Sequence, residues 1–198
     1  MKKTLLLIGT ISFLFIYIGV ARAAPIQWTS GSGANGHWYD AVAISGGINW
    51  NDAKIAAEQL VHNGLYGHLV TITSAEENQF IVDNLSQSLG TSDSFGYWIG
   101  AREYGYSNFT WVTGETFSYT NWNTGEPNGG GAPDEGIHFF GLGSTAGKWN
   151  DASAAGYAFP GYIVEWDQFS DPVPEPTTML LLGAGLLGLA GTRRRMRK

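Results

Sequence analysis

The chain has 198 residues, no cysteine and a formal net charge of −6 at pH 7. Its two ends carry eight of the 11 lysines and arginines, so a chain freed of residues 1–23 and cut before Glu175 retains three basic and 16 acidic residues. The resulting net charge of about −13 excludes nucleic acid as a partner and favours divalent cations. The absence of cysteine excludes a disulfide scaffold and thiolate metal sites.

Residues 1–23 have the pattern of a secretory signal peptide. Met1-Lys2-Lys3 is basic, residues 5–20 are apolar, and Ala21-Arg22-Ala23 places small residues at a cleavage position. The alternative interpretation is a permanent amino-terminal membrane anchor. We therefore expect an exported protein whose mature chain starts at residue 24.

The first part of the mature chain predicts two helices. After a polar, Gly- and Ser-rich lead-in over residues 24–36, residues 37–44 have the composition of a strand. Asn49 is a helix-capping residue, and the apolar residues that follow it have the spacing of one helical face. These residues are Ala53, Ala56, Ala57, Leu60 and Val61. A short strand over residues 68–72 then precedes a capping box at residues 74–77, which opens a second helix.

The second part of the mature chain predicts short strands. Aromatic segments follow residue 90 and are separated by Gly, Asn and Ser; they comprise residues 97–100, 109–112, 137–140 and 162–166. Helices followed by strands predict an α+β domain. Residues 114–136 form a long segment rich in Gly, Asn and Thr, and a loop of this length in a compact domain is either functional or disordered.

Two clusters of oxygen-bearing side chains lie within and after this long loop. Glu126-Pro127-Asn128 forms the first and Asn150-Asp151 the second, with Asp134 and Glu135 between them. Calcium takes about six to eight oxygen ligands at roughly 2.3–2.6 Å, and carboxylates and amides on irregular backbone supply such ligands. The lack of cysteine and the single nearby imidazole, His138, argue against zinc or copper in this loop. If the side chains converge, they form a calcium site.

The ordered segments of the mature chain resemble the C-type lectin-like domain. The resemblance covers residues 37–168 and rests on a series of motifs: Asn49-Trp50-Asn51-Asp52-Ala53, residues 67–72 and 74–78, Tyr97-Trp98-Ile99-Gly100, Phe109-Thr110-Trp111, Trp122, Glu126-Pro127-Asn128, Trp149-Asn150-Asp151 and Ile163-Val164-Glu165-Trp166. It implies an α+β double-loop fold with two helices, small antiparallel sheets, paired chain ends and a long calcium-binding loop. The family usually has two disulfides, and Gly136 and Val164 stand where cysteines are common, so this chain is expected to hold the fold without them.

The same resemblance implies the ligands of the site. Ca2+ and carbohydrate are expected to share one set of residues, namely Glu126, Asn128, Asp134, Asn150 and Asp151. Asp134 aligns by its spacing from Glu126 and is preferred to Glu135 as the ligand between the clusters. Two vicinal sugar hydroxyls would coordinate the ion, while carboxylates accept and amides donate hydrogen bonds to those hydroxyls. The Glu-Pro-Asn version implies specificity for mannose, glucose, fucose or N-acetylglucosamine, with Pro127 in the cis form.

The remaining aromatic and titratable residues receive structural interpretations. Four tryptophans are expected to pack in the core rather than to stack on a sugar: Trp98, Trp111, Trp122 and Trp149. The four histidines show no metal or catalytic-triad spacing and are predicted to be surface or core residues: His37, His62, His68 and His138. No nucleophile–base pattern such as G-x-S-x-G is present, so we predict that the protein is not an enzyme.

The carboxy-terminal end has three parts. A linker over residues 169–176 contains Pro174-Glu175-Pro176, and residues 177–198 comprise an apolar segment followed by a basic tail. The apolar part has about 15 residues, fewer than the roughly 20 that a spanning helix needs. These parts resemble the PEP-CTERM sorting signal, which implies transient membrane association and removal of the tail by an exosortase-type enzyme. A plain single-span anchor is the alternative.

The motifs together predict calcium-dependent carbohydrate binding by an exported, surface-sorted bacterial protein. The setting implied by the sorting signal is the cell surface or the extracellular space, for example an exopolysaccharide matrix. The alternative is a calcium-independent protein-binding or structural surface domain with a lectin-like fold.

Overall fold

The computed structural model describes residues 24–85, 88–89, 96–105, 108–129 and 134–168. The predicted signal peptide and the segment with Pro174-Glu175-Pro176 lie outside these residues. No helix in the described part of the chain is long and apolar enough to cross a membrane.

The described residues form an α+β domain, as predicted. The elements in chain order are β1 (Ile26–Gln27), β2 (Trp38–Ile48), α1 (Trp50–Gln59), β3 (Val61–His62), β4 (Leu65–Tyr66), β5 (His68–Leu69), α2 (Ala75–Leu85), β6 (Tyr97–Glu103), β7 (Phe109–Trp111), β8 (Glu135–Phe139), a 3-10 turn (Gly143–Thr145), β9 (Trp149–Ser153) and β10 (Phe159–Trp166). Strands β3 and β4 form a separate hairpin, and the other described strands belong to one sheet.

Both helices begin at the predicted capping residues. The Asn49 side chain accepts a hydrogen bond from the Asp52 amide at 3.0 Å, and the Ser74 hydroxyl accepts one from the Glu77 amide at 3.1 Å. These bonds satisfy amides that have no partner within the first turn of a helix. Helix α1 ends at Gln59, before the end of its predicted apolar face, so Val61 lies exposed in β3 instead.

The sheet pairs the two ends of the domain. Strand β10 lies antiparallel to β2, with Trp166 opposite Trp38 and Tyr162 opposite Val42, and parallel to β6 on its other side. The order β1-β2-β10-β6-β8-β9 then places β8 and β9 at the far edge. The long loop between β7 and β8 therefore emerges beside the strands that carry the second half of the predicted site.

Aromatic packing fills the core. Trp98 and Trp149 are completely buried, Trp111 is 3% exposed, and Trp122 packs against the same cluster, which confirms their predicted core role. The indole of Trp98 donates to the Ile48 carbonyl at 2.7 Å, so its polar atom is satisfied. A Cβ atom at Gly136 would collide with the Trp50 ring, so tryptophan occupies the space that a cysteine side chain would need.

Candidate calcium and carbohydrate site

The register of β8 and β9 decides which side chains share a face. Glu135 lies opposite Ser153, and Ile137 lies opposite Asp151. Opposite residues share a face and successive residues alternate. Glu135 and Asp151 are therefore diagonal neighbours on one face, where the long loop returns to the sheet.

Asp151 holds the loop through backbone amides. Its Oδ1 accepts from the Asn128 amide at 3.1 Å, and its Oδ2 accepts from the Gly129 amide at 2.9 Å. The Asn128 amide also lies 3.1 Å from Glu126 Oε2, to which it donates. The Glu126–Pro127 peptide bond is cis, as the resemblance implies. Three of the predicted ligands, Glu126, Asn128 and Asp151, are thereby brought together.

Glu135 completes a group of three carboxylates. Glu135 is only 4% exposed, and its Oε2 atom has no hydrogen-bond partner among the described residues. An ideal Cβ built at Gly129 would lie 3.4 Å from Asp151 Oδ2 and 3.6 Å from Glu135 Oε2, so both oxygens border one small space. A buried carboxylate oxygen without a donor is costly unless a cation compensates it.

Asp134 has a different environment. Its Oδ1 accepts from Arg102 Nε and Nη2, both at 2.5 Å, while Arg102 Nη1 donates to Asn51 Oδ1 at 2.8 Å. Asp134 immediately precedes β8, and the side-chain contacts of its Oδ1 are to Arg102. The preference for Asp134 by spacing is therefore not matched by the geometry, which places Glu135 beside Asp151.

Asn150 lies on the other face of β9, opposite His138. Its Oδ1 is buried and lacks a hydrogen-bond partner among the described residues. Burial lowers the pKa of His138 to about 3, so the ring beside this asparagine is neutral and adds no positive charge. The Asn150 amide oxygen is therefore a second buried acceptor, on the residue that precedes Asp151 in the chain. A donor set of carboxylate and amide oxygens is the kind that calcium takes.

The electrostatics of the cluster favour a bound cation. Burial, the hydrogen bond with Asp151 and the neighbouring negative charges raise the pKa of Glu135 to about 7. Burial and the charge of Asp151 also raise the pKa of Glu126. Without a cation, Glu135 and Glu126 therefore ionise less readily than isolated carboxylates do.

The raised pKa of Glu135 predicts that this residue contributes a loss of stability to the calcium-free protein as the pH rises from about 4.5 to about 7, whereas the lowered pKa of His138 contributes the opposite sign below about 6.5. In this window the folded state keeps a proton on Glu135 that the unfolded state releases, so the free energy of unfolding falls with pH. Urea unfolding in calcium-free buffer across this range measures the slope. Burial and the charge of Glu165 raise the pKa of Glu77 to about 7. Its titration therefore also lowers the free energy of unfolding as the pH rises through this range.

The variant Glu135→Gln separates the two contributions, because it removes one titrating group and leaves Glu77 in place. We expect a shallower decline for the variant than for the unchanged protein. Parallel declines would show that Glu135 does not titrate abnormally.

Comparison with known proteins places the chain in a family. The profile described as "Lectin C-type domain" matches residues 46–157, which is more than half of the chain. The chain belongs to the C-type lectin domain family. A second profile, the "PEP-CTERM protein-sorting motif", matches residues 172–195 and confirms the predicted sorting signal. This motif is typical of exported proteins that an exosortase processes.

Relatives of this lectin domain include proteins of Mytilus galloprovincialis and Patiria pectinifera. A perlucin-like protein of Mytilus galloprovincialis is 36% identical over 107 residues, covering 53% of this chain and 62% of the relative. An alpha-N-acetylgalactosamine-specific lectin of Patiria pectinifera is 32% identical over 83 residues, covering 41% of this chain and 48% of the relative. The chain thus spans less than two thirds of the length of these curated relatives.

A solved structure shares the fold. The carbohydrate-recognition domain of cow CD23, determined in the presence of a GlcNAc2Man3 oligosaccharide, has a TM-score of 0.52 and 28% identity. The similarity covers 73% of this chain and 96% of that domain. The family and this fold confirm the double-loop prediction, and as a C-type lectin domain the protein is not an enzyme.

Proposed function

We propose that the domain binds carbohydrate through a calcium ion held by the long loop and β8–β9. The ligands in this proposal are Glu126, Asn128, Glu135, Asn150 and Asp151. The observation that carries it is the buried Glu135 oxygen, which lacks a hydrogen-bond partner among the described residues and faces the space bordered by Asp151 Oδ2.

The side chains of the site divide into acceptors and donors. When bound, calcium supplies coordination positions for two vicinal sugar hydroxyls. The carboxylates of Glu126 and Glu135 accept hydrogen bonds from those hydroxyls, while the amide groups of Asn128 and Asn150 donate to them. Asn128 is exposed, so its side chain is accessible to a glycan arriving from solvent.

The order of acceptor and donor in the loop favours sugars of the mannose, glucose, fucose or N-acetylglucosamine type. Glu126 precedes Asn128 across a cis peptide bond, which is the arrangement that the family resemblance associates with these sugars. The cow CD23 domain was solved with a mannose-containing oligosaccharide, whereas the Patiria lectin is named for N-acetylgalactosamine. Specificity is therefore inferred from Glu126 and Asn128 rather than from overall identity.

The sorting signal supports a place outside the cell. We infer that the domain is exported and delivered to the cell surface or released, with the tail associated with the membrane only until an exosortase-type enzyme removes it. A lectin delivered there meets glycans and exopolysaccharide, which are the partners expected for this site.

Calorimetric titration with calcium, followed by a glycan array with and without chelator, tests the proposal. We expect calcium binding and glycan binding that chelator abolishes. Failure to bind both calcium and glycans would refute the proposal. Binding to a protein partner that chelator does not change, together with no glycan binding on the array, would instead support a calcium-independent protein-binding or structural surface domain.

The double variant Glu126→Gln/Asn128→Asp is expected to shift preference from mannose towards galactose. The exchange keeps the net charge and reverses donor and acceptor at both positions, so it changes which hydroxyl arrangement is matched. Competition between methyl mannoside and methyl galactoside for the immobilised protein measures the shift. An unchanged ratio would argue that these residues do not contact the sugar hydroxyls.

A further inference from the structure

A second group of metal-ligating side chains lies where the two ends of the domain pair. Strand β10 is flanked at this point by β2, with Glu165 opposite Tyr39, and by β5, with Glu165 opposite His68. Asp167 follows Glu165 by two positions, and His37 precedes Tyr39 by two. Because faces alternate along strands, His37, His68, Glu165 and Asp167 all lie on one face of the sheet.

The donor atoms of this group are spaced like the ligands of a small metal ion. His37 Nδ1 lies 2.7 Å from Glu165 Oε1 and 3.4 Å from Asp167 Oδ1, and His68 Nε2 lies 3.1 Å from the same Asp167 oxygen. The ligand atoms of His37, Glu165 and Asp167 all lie within 4.8 Å of one another. Tetrahedral donors about 2.0–2.1 Å from zinc are about 3.3–3.4 Å apart. The separations of 3.4 Å and 3.1 Å are close to this value, and the 2.7 Å hydrogen bond between His37 and Glu165 would lengthen on metal binding.

The hydrogen bonds around the group orient its donors. His68 Nδ1 lies 2.9 Å from the Leu69 carbonyl, which can only accept, so Nδ1 carries the hydrogen. Nε2 lies beside Asp167 Oδ1 and, in the deprotonated ring, is free to bind a metal ion there. A backbone carbonyl that fixes the second nitrogen is the usual support of a metal-bound histidine.

Glu165 is oriented in the same way. The Thr71 amide donates to Glu165 Oε2 at 2.9 Å, which leaves Oε1 directed at His37. Its side chain is 3% exposed, whereas that of Asp167 is 56% exposed and that of His37 is 28% exposed. The group thus has a buried base and an open side through which an ion can enter.

We propose that His37, His68, Glu165 and Asp167 bind a divalent transition metal of the zinc class. Imidazole nitrogens with carboxylates suit zinc, whereas calcium prefers an all-oxygen set such as that of the long loop. The bound ion would crosslink the start of β2, β5 and the end of β10. Disulfides cannot supply such a crosslink, because the chain has no cysteine. This proposal departs from the prediction that His37 and His68 are surface or core histidines without a metal role.

Zinc titration of the purified full chain in saturating calcium tests this site, because calcium then occupies the carboxylates of the long loop. We expect one zinc ion per chain, and a raised melting temperature on zinc addition.

His68→Gln and Asp167→Asn are each expected to weaken zinc binding at least about a hundredfold, since each removes a direct ligand. His62→Gln, a histidine on the adjacent hairpin that packs against Trp38, is the matched control and should leave zinc affinity unchanged.

Cobalt substitution gives a second measurement on the unaltered chain. We expect the strong visible absorption of tetrahedral cobalt, and its loss on addition of zinc. The absence of zinc binding, binding that survives both substitutions in the cluster, or the weak spectrum of octahedral cobalt would each overturn the proposal. If either variant fails to fold, the cobalt spectrum of the unaltered chain decides, because it does not depend on the variants.

Discussion

Glu135→Gln is expected to lower the calcium affinity of the domain at least about a hundredfold, because it neutralises a direct ligand. Glu135 is 4% exposed and its pKa is raised to about 7 by burial, Asp151 and the neighbouring carboxylates, so its charge is tolerated mainly when a cation is bound. The calcium-free variant should not be less stable than the unchanged protein. Calorimetric titration and thermal unfolding with and without calcium measure both effects.

Asp134→Asn is the matched control for this prediction. It makes the same chemical change one residue earlier, where the carboxylate pairs with Arg102 instead of Asp151. Asp134 has 47% of its side chain exposed, and such surface pairs contribute about 0–1 kcal/mol. Calcium affinity should therefore change by no more than about threefold, the scale of one surface charge pair. If Asp134→Asn lowers calcium affinity more than Glu135→Gln does, Asp134 is the ligand between the two clusters.

Trp149→Ala is expected to lower the free energy of unfolding by about 3–5 kcal/mol. The side chain is completely buried, and Trp111, Tyr119 and Trp122 contact it edge to face. Its indole also donates to Asn78 Oδ1 at 2.9 Å, and loss of that donor leaves a buried amide oxygen unpaired. Urea unfolding in calcium-free buffer measures the change.

The same substitution is expected to weaken calcium binding. The Trp149 amide donates to the Asn121 carbonyl at 2.9 Å, and its carbonyl accepts from the Asn123 amide at 2.8 Å, so this residue ties the long loop to β9 immediately before Asn150. Trp149→Phe keeps an aromatic ring and serves as the control, with a smaller loss in both measurements. A loss of stability below about 1 kcal/mol for the alanine variant would contradict the role of Trp149 as the centre of this core.

The local features of the fold could be predicted from the sequence because they depend on neighbouring residues. Asn49 and Ser74 cap helices through bonds to amides three residues away, and the aromatic segments after residue 90 have the composition of strands. The end of α1 could not be placed, since apolar residues at helical spacing continue into β3. There, Val61 pairs with Tyr66 in a hairpin instead of extending the helix.

The choice between Asp134 and Glu135 could not be made from spacing. It depends on which face of β8 each side chain occupies, and thus on the residue at which the strand begins. All five residues of β8 are buried, so the strand shows no alternation of apolar and polar residues from which its faces could be assigned. Counting in steps of two from Ile137, which lies opposite Asp151, places Glu135 on the same face as Asp151.

The cluster of His37, His68, Glu165 and Asp167 could not be predicted for another reason. His37 and His68 lie far from each other and from Glu165 and Asp167 in the sequence, and they meet these carboxylates because β10 pairs with both β2 and β5. Local spacing carries no information about such a group, whereas the register of three strands defines it completely.

A crystal structure of the domain grown with calcium and methyl mannoside is the most direct test of the proposed lectin site. We expect one calcium ion bound to oxygens of Glu126, Asn128, Glu135, Asn150 and Asp151, with two vicinal sugar hydroxyls completing its coordination. Asp134 should remain paired with Arg102 in that structure. An empty loop at saturating calcium, or a sugar bound elsewhere on the domain, would contradict the proposal.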